Sequence, residues 1–246
     1  MDTLNFPQIT SKIVKWIKEE VKESQSEGLV FGLSGGIDSS IVAVICQKAM
    51  KNNVLGLVMP CHSLKEDRDH AMLVINKFNI PFKEITLDHI LDIIKKAFPL
   101  FNEKIAENNL KPRLRMLTLY YFANGFNYLV AGTGNKSEIQ TGYFTKYGDG
   151  GADILPLAGL YKTQIKEFAR TLDIPEEIIE KPPSAGLWEG QTDEGELGLS
   201  YEELDNILFA METGTSSHLP PEKIEKVKSL IKNSEHKRNP IPKFIL

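Results

Sequence analysis

Residues 32–40 of the chain read Gly32-Leu33-Ser34-Gly35-Gly36-Ile37-Asp38-Ser39-Ser40. They follow a short apolar run at 29–31 and precede a helical pattern at 39–50. A connection between a strand and a helix lies at the carboxyl end of the strand, where open α/β sheets bind their ligands. The two adjacent glycines let main-chain N–H groups approach a phosphate, and the N-terminus of the following helix adds unpaired N–H donors. The stretch therefore predicts a phosphate-binding loop.

Asp38 places a negative charge in this loop. It would repel a phosphate unless a cation lay between them, so it is a natural ligand for Mg²⁺. The alternative for these residues is a tight turn whose following helix is capped by Ser39. The combination Ser-Gly-Gly-x-Asp-Ser after an apolar strand favours nucleotide binding. The stretch matches neither the Walker loop, which ends in Gly-Lys-Ser/Thr, nor the glycine spacing of the Rossmann fingerprint.

Short apolar strands and helical patterns alternate on both sides of the loop. An amphipathic helix at 7–26 precedes it, because isoleucine or valine recurs there every four residues. We predict strands at 29–31, 54–58, 82–86 and 128–131, and further helices at 39–50, 65–78, 88–98, 113–125, 161–172, 201–212 and 220–232. The alternation predicts an α/β fold, a doubly wound parallel sheet flanked by helices.

The remaining long stretches, 132–153 and 181–200, read as loops, and residues 235–246 read as a tail. A loop as long as 181–200 is usually functional or disordered. The sequence contains neither an internal repeat nor a linker between two halves. We therefore expect residues 1–246 to form one domain.

Composition narrows the class of protein. Of the 246 residues, 29 are Lys or Arg and 33 are Asp or Glu, which gives a net charge of −4. Proteins that bind nucleic acid usually have an excess of basic residues, and this chain has none. The two cysteines have neither disulfide nor zinc-site spacing; we expect Cys46 to be buried and Cys61 to lie in a loop. The sequence has no apolar run of membrane-spanning length and no signal peptide, so a cytoplasmic location is expected.

A second glycine-containing segment follows the fourth predicted strand. It reads Ala131-Gly132-Thr133-Gly134-Asn135-Lys136-Ser137-Glu138. It offers a tight turn, hydroxyl groups and a carboxylate at the end of another strand. Glu138 is thereby placed to share a metal ion with Asp38. The alternative is a solvated turn.

Both segments resemble those of a known superfamily. The first resembles the pyrophosphatase loop of the N-type ATP pyrophosphatases, and the second closely resembles the Gly-Thr-x-Asn-x-x-Glu element of the ammonia-dependent NAD synthetases. More segments resemble this family in the same order: Arg113-Leu114-Arg115-Met116, 144–153, 155–164, 183–188, 191–194 and His236-Lys237-Arg238. One departure is Pro112, which stands where a small residue is expected, and it leaves the start of that helix open.

The resemblance implies a fold and an activity. The fold would be adenine nucleotide alpha hydrolase-like. The enzyme would be a ligase that forms a C–N bond, amidating deamido-NAD with ammonia and ATP to give NAD, AMP and pyrophosphate through an acyl-adenylate. Relatives that use glutamine carry a large extra domain for which this chain has no room, so free ammonia is the expected nitrogen donor. The family forms homodimers.

The resemblance also assigns roles by position. Metal ligands for Mg²⁺ would be Asp38 and Glu138, and the catalytic residues would be Asp38, Lys162 and Asp153. ATP would contact Gly32, Leu33, Ser34, Gly35, Gly36, Ile37, Asp38, Ser39, Thr133, Lys162 and Ser184. Deamido-NAD would contact Arg113, Lys146, Asp153, His236 and Lys237. The 184–196 loop would be a lid that keeps water away from the adenylate.

Each of these residues also has a simpler interpretation when taken alone. Lys162 alone would be a surface lysine, Lys146 and Asp153 an exposed ion pair, and residues 236–238 a solvated tail. One rival function is another ATP pyrophosphatase, such as a tRNA-modifying enzyme, which the acidic balance and the lack of a Cys-x-x-Cys pair disfavour. A second rival is an ATP-binding sensor, which would not need Asp38, Glu138 and Lys162 together.

Overall fold

The sheet of this chain is parallel, and its first and last strands lie side by side. The computed structural model describes residues 4–98, 104–188, 190–215 and 218–245. Four parallel strands lie in the order β3-β2-β1-β4: β1 (Gly28–Gly32), β2 (Val54–Val58), β3 (Phe82–Glu84) and β4 (Tyr128–Val130). The chain runs outward from β1 to β3 and then returns to the other side of β1. The strand order therefore reverses between β1 and β4, which is where doubly wound sheets bind ligands.

One helix precedes the first strand, and the others connect the strands or follow the last one. They are α1 (Phe6–Glu23), α2 (Ile37–Met50), α3 (Lys65–Phe78), α4 (Asp88–Ala97), α5 (Lys104–Asn108), α6 (Leu110–Phe126), α7 (Lys136–Thr141), α8 (Lys162–Thr171), α9 (Glu176–Ile179), α10 (Asp193–Leu197), α11 (Tyr201–Thr213), α12 (Pro221–Asn233) and α13 (Glu235–Arg238). Within the described ranges, we find no helix with the combined length and apolarity needed to cross a membrane.

Side chains of the sheet pack on both faces. In β2, Val54 and Val58 join the core formed with α1, α2 and α8, whereas Leu55 and Leu57 join the core under α4 and α6. This alternation follows from the period of two along a strand, and each buried aliphatic side chain stabilises the fold by about 1.5–3 kcal/mol. The helices on both faces confirm the predicted doubly wound parallel sheet. A third apolar cluster, which includes Leu204 and Val227, joins α11 to α12.

Short helices account for the main differences from the sequence prediction. α7 lies inside the predicted loop 132–153, α10 lies inside 181–200, and α13 lies in the predicted tail. Helices of four to six residues are too short to show a hydrophobic period. Pro112 lies in the first turn of α6, where its missing N–H leaves no hydrogen bond unmade.

Both cysteines are fully buried. Cys46 lies in α2 against the sheet, and Cys61 lies in the loop after β2, as predicted. Burial raises the pKa of both thiols, because a thiolate would lose its hydration there. Neither cysteine is therefore a reactive nucleophile in the folded chain.

Candidate active site

The loops that follow β1 and β4 lie side by side at the carboxyl edge of the sheet. The two strands pair in parallel, so both loops leave the sheet at the same end. The Asn135 side chain joins them by donating from Nδ2 to Asp38 Oδ1 at 3.0 Å. The structure therefore brings the two glycine-containing segments into one site.

Three charged side chains meet between these loops. Lys162 Nζ lies 2.6 Å from Asp38 Oδ2 and 3.2 Å from Glu138 Oε1, with side-chain exposures of 9%, 15% and 17% for the three residues. Burial disfavours the Lys162 ammonium, but the two carboxylates outweigh that effect and raise its pKa. Burial raises the pKa of Glu138, with the Lys162 charge opposing it. Lys162 is thus a buried, charged group, and its interpretation as a surface lysine is wrong.

In the loop after β1, the structure requires a glycine at position 35 more strictly than at position 36. Gly35 has φ +79°, and a Cβ there would lie 2.1 Å from the main-chain oxygen of Asp67. Gly36 is the N-cap of α2 at φ −88°, and its Cβ would lie 3.4 Å from Ser34 Oγ. Ser39 lies inside the first turn and donates from Oγ to Gly36 O at 2.9 Å. The alternative in which Ser39 caps the helix is therefore wrong.

The second loop orients Glu138 through a capping box at the start of α7. Asn135 Oδ1 accepts from the Glu138 N–H at 3.0 Å, and Glu138 Oε2 accepts from the Asn135 N–H at 3.2 Å. The other carboxylate oxygen of Glu138 then points to Lys162. Thr133 lies in the same loop and is partly exposed.

A residue that the sequence did not single out fixes the helices on which Glu138 and Lys162 lie. Asp205, on α11, is fully buried, and its Oδ1 accepts from Ser137 Oγ at 2.5 Å while its Oδ2 accepts from the Thr163 N–H at 2.8 Å. Ser137 Oγ also accepts from the Lys162 N–H at 2.9 Å. Burial raises the pKa of Asp205, and these hydrogen bonds oppose that shift. Asp205 therefore ties the N-terminus of α7 to that of α8.

Ser184 lies in the segment 181–198, described except for residue 189, which contains the predicted lid. Its side chain is exposed, and Ser184 Oγ accepts from the Gly186 N–H at 3.1 Å. Lys181 Nζ donates to Asp67 Oδ1 at 2.8 Å, so the start of the segment is fixed to α3. Since Asp67 also contacts Gly35, the segment and the first loop rest on the same turn of α3.

Four of the residues predicted to contact deamido-NAD gather at the turn 142–147. Lys146 Nζ donates to His236 O at 2.5 Å, and Lys237 Nζ donates to two main-chain carbonyls of the turn, both at 2.7 Å. Arg113 Nη2 lies 3.5 Å from Lys146 O. The segment 236–238 is therefore anchored, and the alternative of a solvated tail is wrong.

Asp153 occupies a different place, against β4. Its Oδ1 accepts from Tyr120 Oη at 2.9 Å, and its Oδ2 accepts from the Val130 N–H at 2.7 Å. The side-chain amine of Lys146 is bonded to the 236–238 segment instead. The alternative of an exposed Lys146–Asp153 ion pair is therefore wrong.

Comparisons with known proteins identify the family of the chain. The family model described as NAD synthase matches residues 9–241. The NH(3)-dependent NAD(+) synthetase of Carboxydothermus hydrogenoformans is 47% identical over 96% of this chain and 96% of its own. The protein of the same description from Methanocaldococcus jannaschii is 49% identical over 95% of each chain.

Solved structures show the same similarity. An NMN synthetase from Francisella tularensis has a TM-score of 0.91 and 34% identity, and the alignment covers 99% of this chain and 100% of that one. An NH3-dependent NAD synthetase from Campylobacter jejuni, in complex with the nitrate ion, has a TM-score of 0.86 and 33% identity, with 99% and 100% covered. The family predicted from the motifs is confirmed: this chain belongs to the NAD synthase family.

Proposed function

We propose that the chain catalyses the ATP-dependent amidation of deamido-NAD with ammonia, giving NAD, AMP and pyrophosphate through an acyl-adenylate. The observation that carries this proposal is the position of Lys162, which lies between Asp38 and Glu138 at the switch point of the sheet. A phosphate-binding loop, a cation and two carboxylates at one edge suit the transfer of a nucleotidyl group. The membership of the chain in the NAD synthase family supports deamido-NAD as the acceptor.

ATP would lie along the first loop, with its phosphates at the N-terminus of α2. Contacts would come from 32–39, Thr133, Lys162 and Ser184. The loop supplies main-chain N–H donors, and the 14-residue helix α2 adds the partial positive charge of its N-terminus. The ammonium of Lys162 would offset the negative charge that grows on the departing pyrophosphate.

Asp38 and Glu138 would hold Mg²⁺. Oxygens from both carboxylates already converge on one cation, the Lys162 ammonium, so the pair fits a small ion that prefers oxygen ligands. Mg²⁺ usually takes one or two carboxylates and completes its shell with water and substrate phosphates. When bound, the ion would neutralise charge on the phosphates.

The chemistry consists of two displacements. A nicotinate carboxylate oxygen forms a bond to the α-phosphorus of ATP, and the bond from that phosphorus to pyrophosphate breaks. The nitrogen of ammonia then bonds to the acyl carbon, the bond to AMP breaks, and the nitrogen gives up a proton. Arg113, Lys146, His236 and Lys237 would bind the anionic dinucleotide. Asp153 would contact it as well and accept that proton.

The active form would be a cytoplasmic homodimer. Support for a dimer comes from α6, where Leu117, Tyr121 and Phe126 are 63%, 74% and 46% exposed. Large apolar side chains exposed together mark interaction surfaces. Arg113 lies on the same helix, so a second copy on α6 would lie beside the bound dinucleotide. Sedimentation analysis of the purified chain, and of a Tyr121→Glu variant that should dissociate, tests this assembly.

A second candidate product is NMN. The similarity to the NMN synthetase from Francisella tularensis, at a TM-score of 0.91, favours it. The same two displacements on nicotinate mononucleotide would give NMN, since the reacting carboxylate is the same. The two substrates differ only in the adenylate half that deamido-NAD carries.

The decisive experiment supplies purified protein with ATP, Mg²⁺, ammonium and either deamido-NAD or nicotinate mononucleotide. We expect NAD to form in step with AMP, a far lower rate with the mononucleotide, and no reaction when glutamine replaces ammonium. A higher rate with the mononucleotide would make NMN the product. AMP formed only with another acceptor would indicate a different ATP pyrophosphatase. ATP binding without any AMP would favour the sensor.

A further inference from the structure

A buried carboxylate that the mechanism above does not use lies close to Lys162. Asp193, the first residue of α10, is 4% exposed. Its Oδ2 accepts from Tyr201 Oη at 2.9 Å, and its Oδ1 accepts from Tyr143 Oη at 3.2 Å. The Tyr201 hydroxyl therefore holds this carboxylate in one orientation, whereas Tyr143 shares its single proton with the nearer Glu196 Oε2, at 2.5 Å.

Tyr201 connects Asp193 to the site. It is the first residue of α11, it is 5% exposed, and Lys162 Nζ lies 5.3 Å from the centroid of its ring. A cation at this distance from an aromatic face is stabilised by about 0.5–2 kcal/mol. The hydroxyl of the same ring is the one that Asp193 accepts from. The hydrogen bond thus fixes the ring against which the Lys162 ammonium rests.

Asp193 also acts on Lys162 through its charge. The negative charge of Asp193 adds to those of Asp38 and Glu138 in raising the pKa of Lys162. Burial raises the pKa of Asp193 itself, and the Lys162 charge opposes that shift. Asp193 is therefore a third carboxylate that acts on the ammonium, bonded to the hydroxyl of the tyrosine against which the ammonium rests.

Asp193 belongs to the segment 181–198, which also carries Ser184. The Asp193 N–H donates to Pro183 O at 3.1 Å, next to Ser184. Lys111, on α6, donates from Nζ to Leu187 O at 2.8 Å and fixes the middle of the segment. A chain of contacts therefore runs from this segment through Asp193 and Tyr201 to Lys162.

We propose that Asp193 and Tyr201 are positioning residues for Lys162. Through them, the placement of its ammonium on the ATP phosphates depends on the packing of the described residues of segment 181–198. The inference rests on the proposed function, because it assigns Lys162 to ATP. It gives that segment a role beyond the exclusion of water.

Tyr201→Phe is the main test, because it keeps the ring and removes the hydroxyl that bonds Asp193. We expect kcat to fall about tenfold, the size of effect that follows when a hydrogen bond to a charged group is lost. The KM for deamido-NAD should stay within about twofold, since Lys162 does not touch that substrate. Tyr128→Phe, the same change at the amino end of β4, is the matched control and should leave kcat unchanged.

A double-mutant cycle with Lys162→Met separates positioning from general stability. If Tyr201 acts through Lys162, then Tyr201→Phe should change the residual rate of Lys162→Met by less than about twofold. A tenfold loss in both backgrounds would mean that Tyr201 only supports the fold, and would overturn the proposal. Asp193→Asn, which keeps the shape and removes the charge, should show the same pattern. Tyr143→Phe should have a smaller effect, since the ring of Tyr201 stays bonded.

Two further outcomes keep this inference distinct from the proposed function. If the unaltered chain makes NAD and neither variant lowers kcat, the positioning role is wrong and the proposed function stands. If the unaltered chain makes no NAD, the proposed function is wrong, and the cycle is measured on ATP affinity. Non-additive losses of affinity there would still support the positioning role, and additive losses would overturn it.

Discussion

The two ends of the proposed site hold their cations in opposite ways. At the nucleotide end, Lys162 is buried and bonded to the carboxylates of Asp38 and Glu138. At the dinucleotide end, Lys146 and Lys237 donate to main-chain carbonyls, which carry no net charge. The first arrangement neutralises charge within the protein and fixes geometry. The second keeps positive charge available to an anionic ligand, in a chain whose net charge is −4.

The largest effect is expected where the charges are paired. Lys162→Met removes the cation that would offset charge on the pyrophosphate, and kcat should fall by about 10³-fold, as when one oxyanion donor is lost. Steady-state rates of AMP and NAD formation measure this. Lys166→Met, on the same helix but exposed, is the control and should leave kcat within about twofold. If Lys162→Met kept a kcat near that of the unaltered chain, the paired cation at the nucleotide end would not be needed for catalysis.

The next effect concerns the backbone of the nucleotide end. Gly35→Ala places a Cβ 2.1 Å from the oxygen of Asp67 at a positive φ, so the loop has to move. We expect ATP affinity, measured by titration calorimetry, to fall by about 30-fold or more, which corresponds to about 2 kcal/mol of strain. Gly36→Ala has room for its Cβ within the protein, so its loss of ATP affinity should be clearly smaller. Equal affinities for the two variants would contradict this account.

Asp205→Asn tests how rigidly the nucleotide end is held. Asp205 bonds both the Ser137 hydroxyl and the Thr163 N–H in a fully buried position, and an amide has one acceptor oxygen where the carboxylate has two. The free energy of unfolding should drop by about 1–3 kcal/mol in denaturant titrations, and kcat should fall by about tenfold. Glu202→Gln, exposed on the same helix, is the control. A stability loss without any change in kcat would show that Asp205 does not position the site.

The smallest effect is expected at the dinucleotide end. Lys146→Met should raise the KM for deamido-NAD by about three- to tenfold and leave that for ATP unchanged, because one partly exposed charge is lost. The dependence of that KM on salt should become shallower, since long-range attraction is screened. Lys15→Met, a surface change on α1, should alter neither KM. An unchanged salt dependence would argue against electrostatic attraction at this end.

The sequence predicted the sheet and the nucleotide end well because their signals are local. An apolar strand followed by Gly35, Gly36 and Asp38 predicts both the turn and its place at the sheet edge. Helix α7 was missed, since six residues show no period, although the Asn135 and Glu138 spacing of a capping box was visible. The resemblance assigned Lys162, Asp38 and Glu138 to one site, but it did not predict the ion pairs between them. The spacing of Lys162 alone is that of a surface lysine.

The residues that support the site were not predictable in the same way. Asp193 lies on the short helix α10, inside a stretch that reads as a loop, and Tyr201 and Asp205 lie on α11 in ordinary helical sequence. Their contacts join positions 8 to 68 residues apart, and packing rather than local pattern creates them. Asp153 differs from these residues, because the resemblance assigned it a catalytic role. In the structure, its carboxylate is hydrogen-bonded to Tyr120 and to the main chain of β4. Its proposed role in proton transfer stays a prediction.

The burial of both native thiols has a practical consequence for spectroscopy. Cys46 and Cys61 are inaccessible and have raised pKa values, so maleimide dyes should not label the folded chain. A single cysteine introduced at the exposed Ala185 would then carry the fluorophore alone, without removal of either native residue. Fluorescence from that one site would report, during turnover, when the segment 181–198 changes its surroundings.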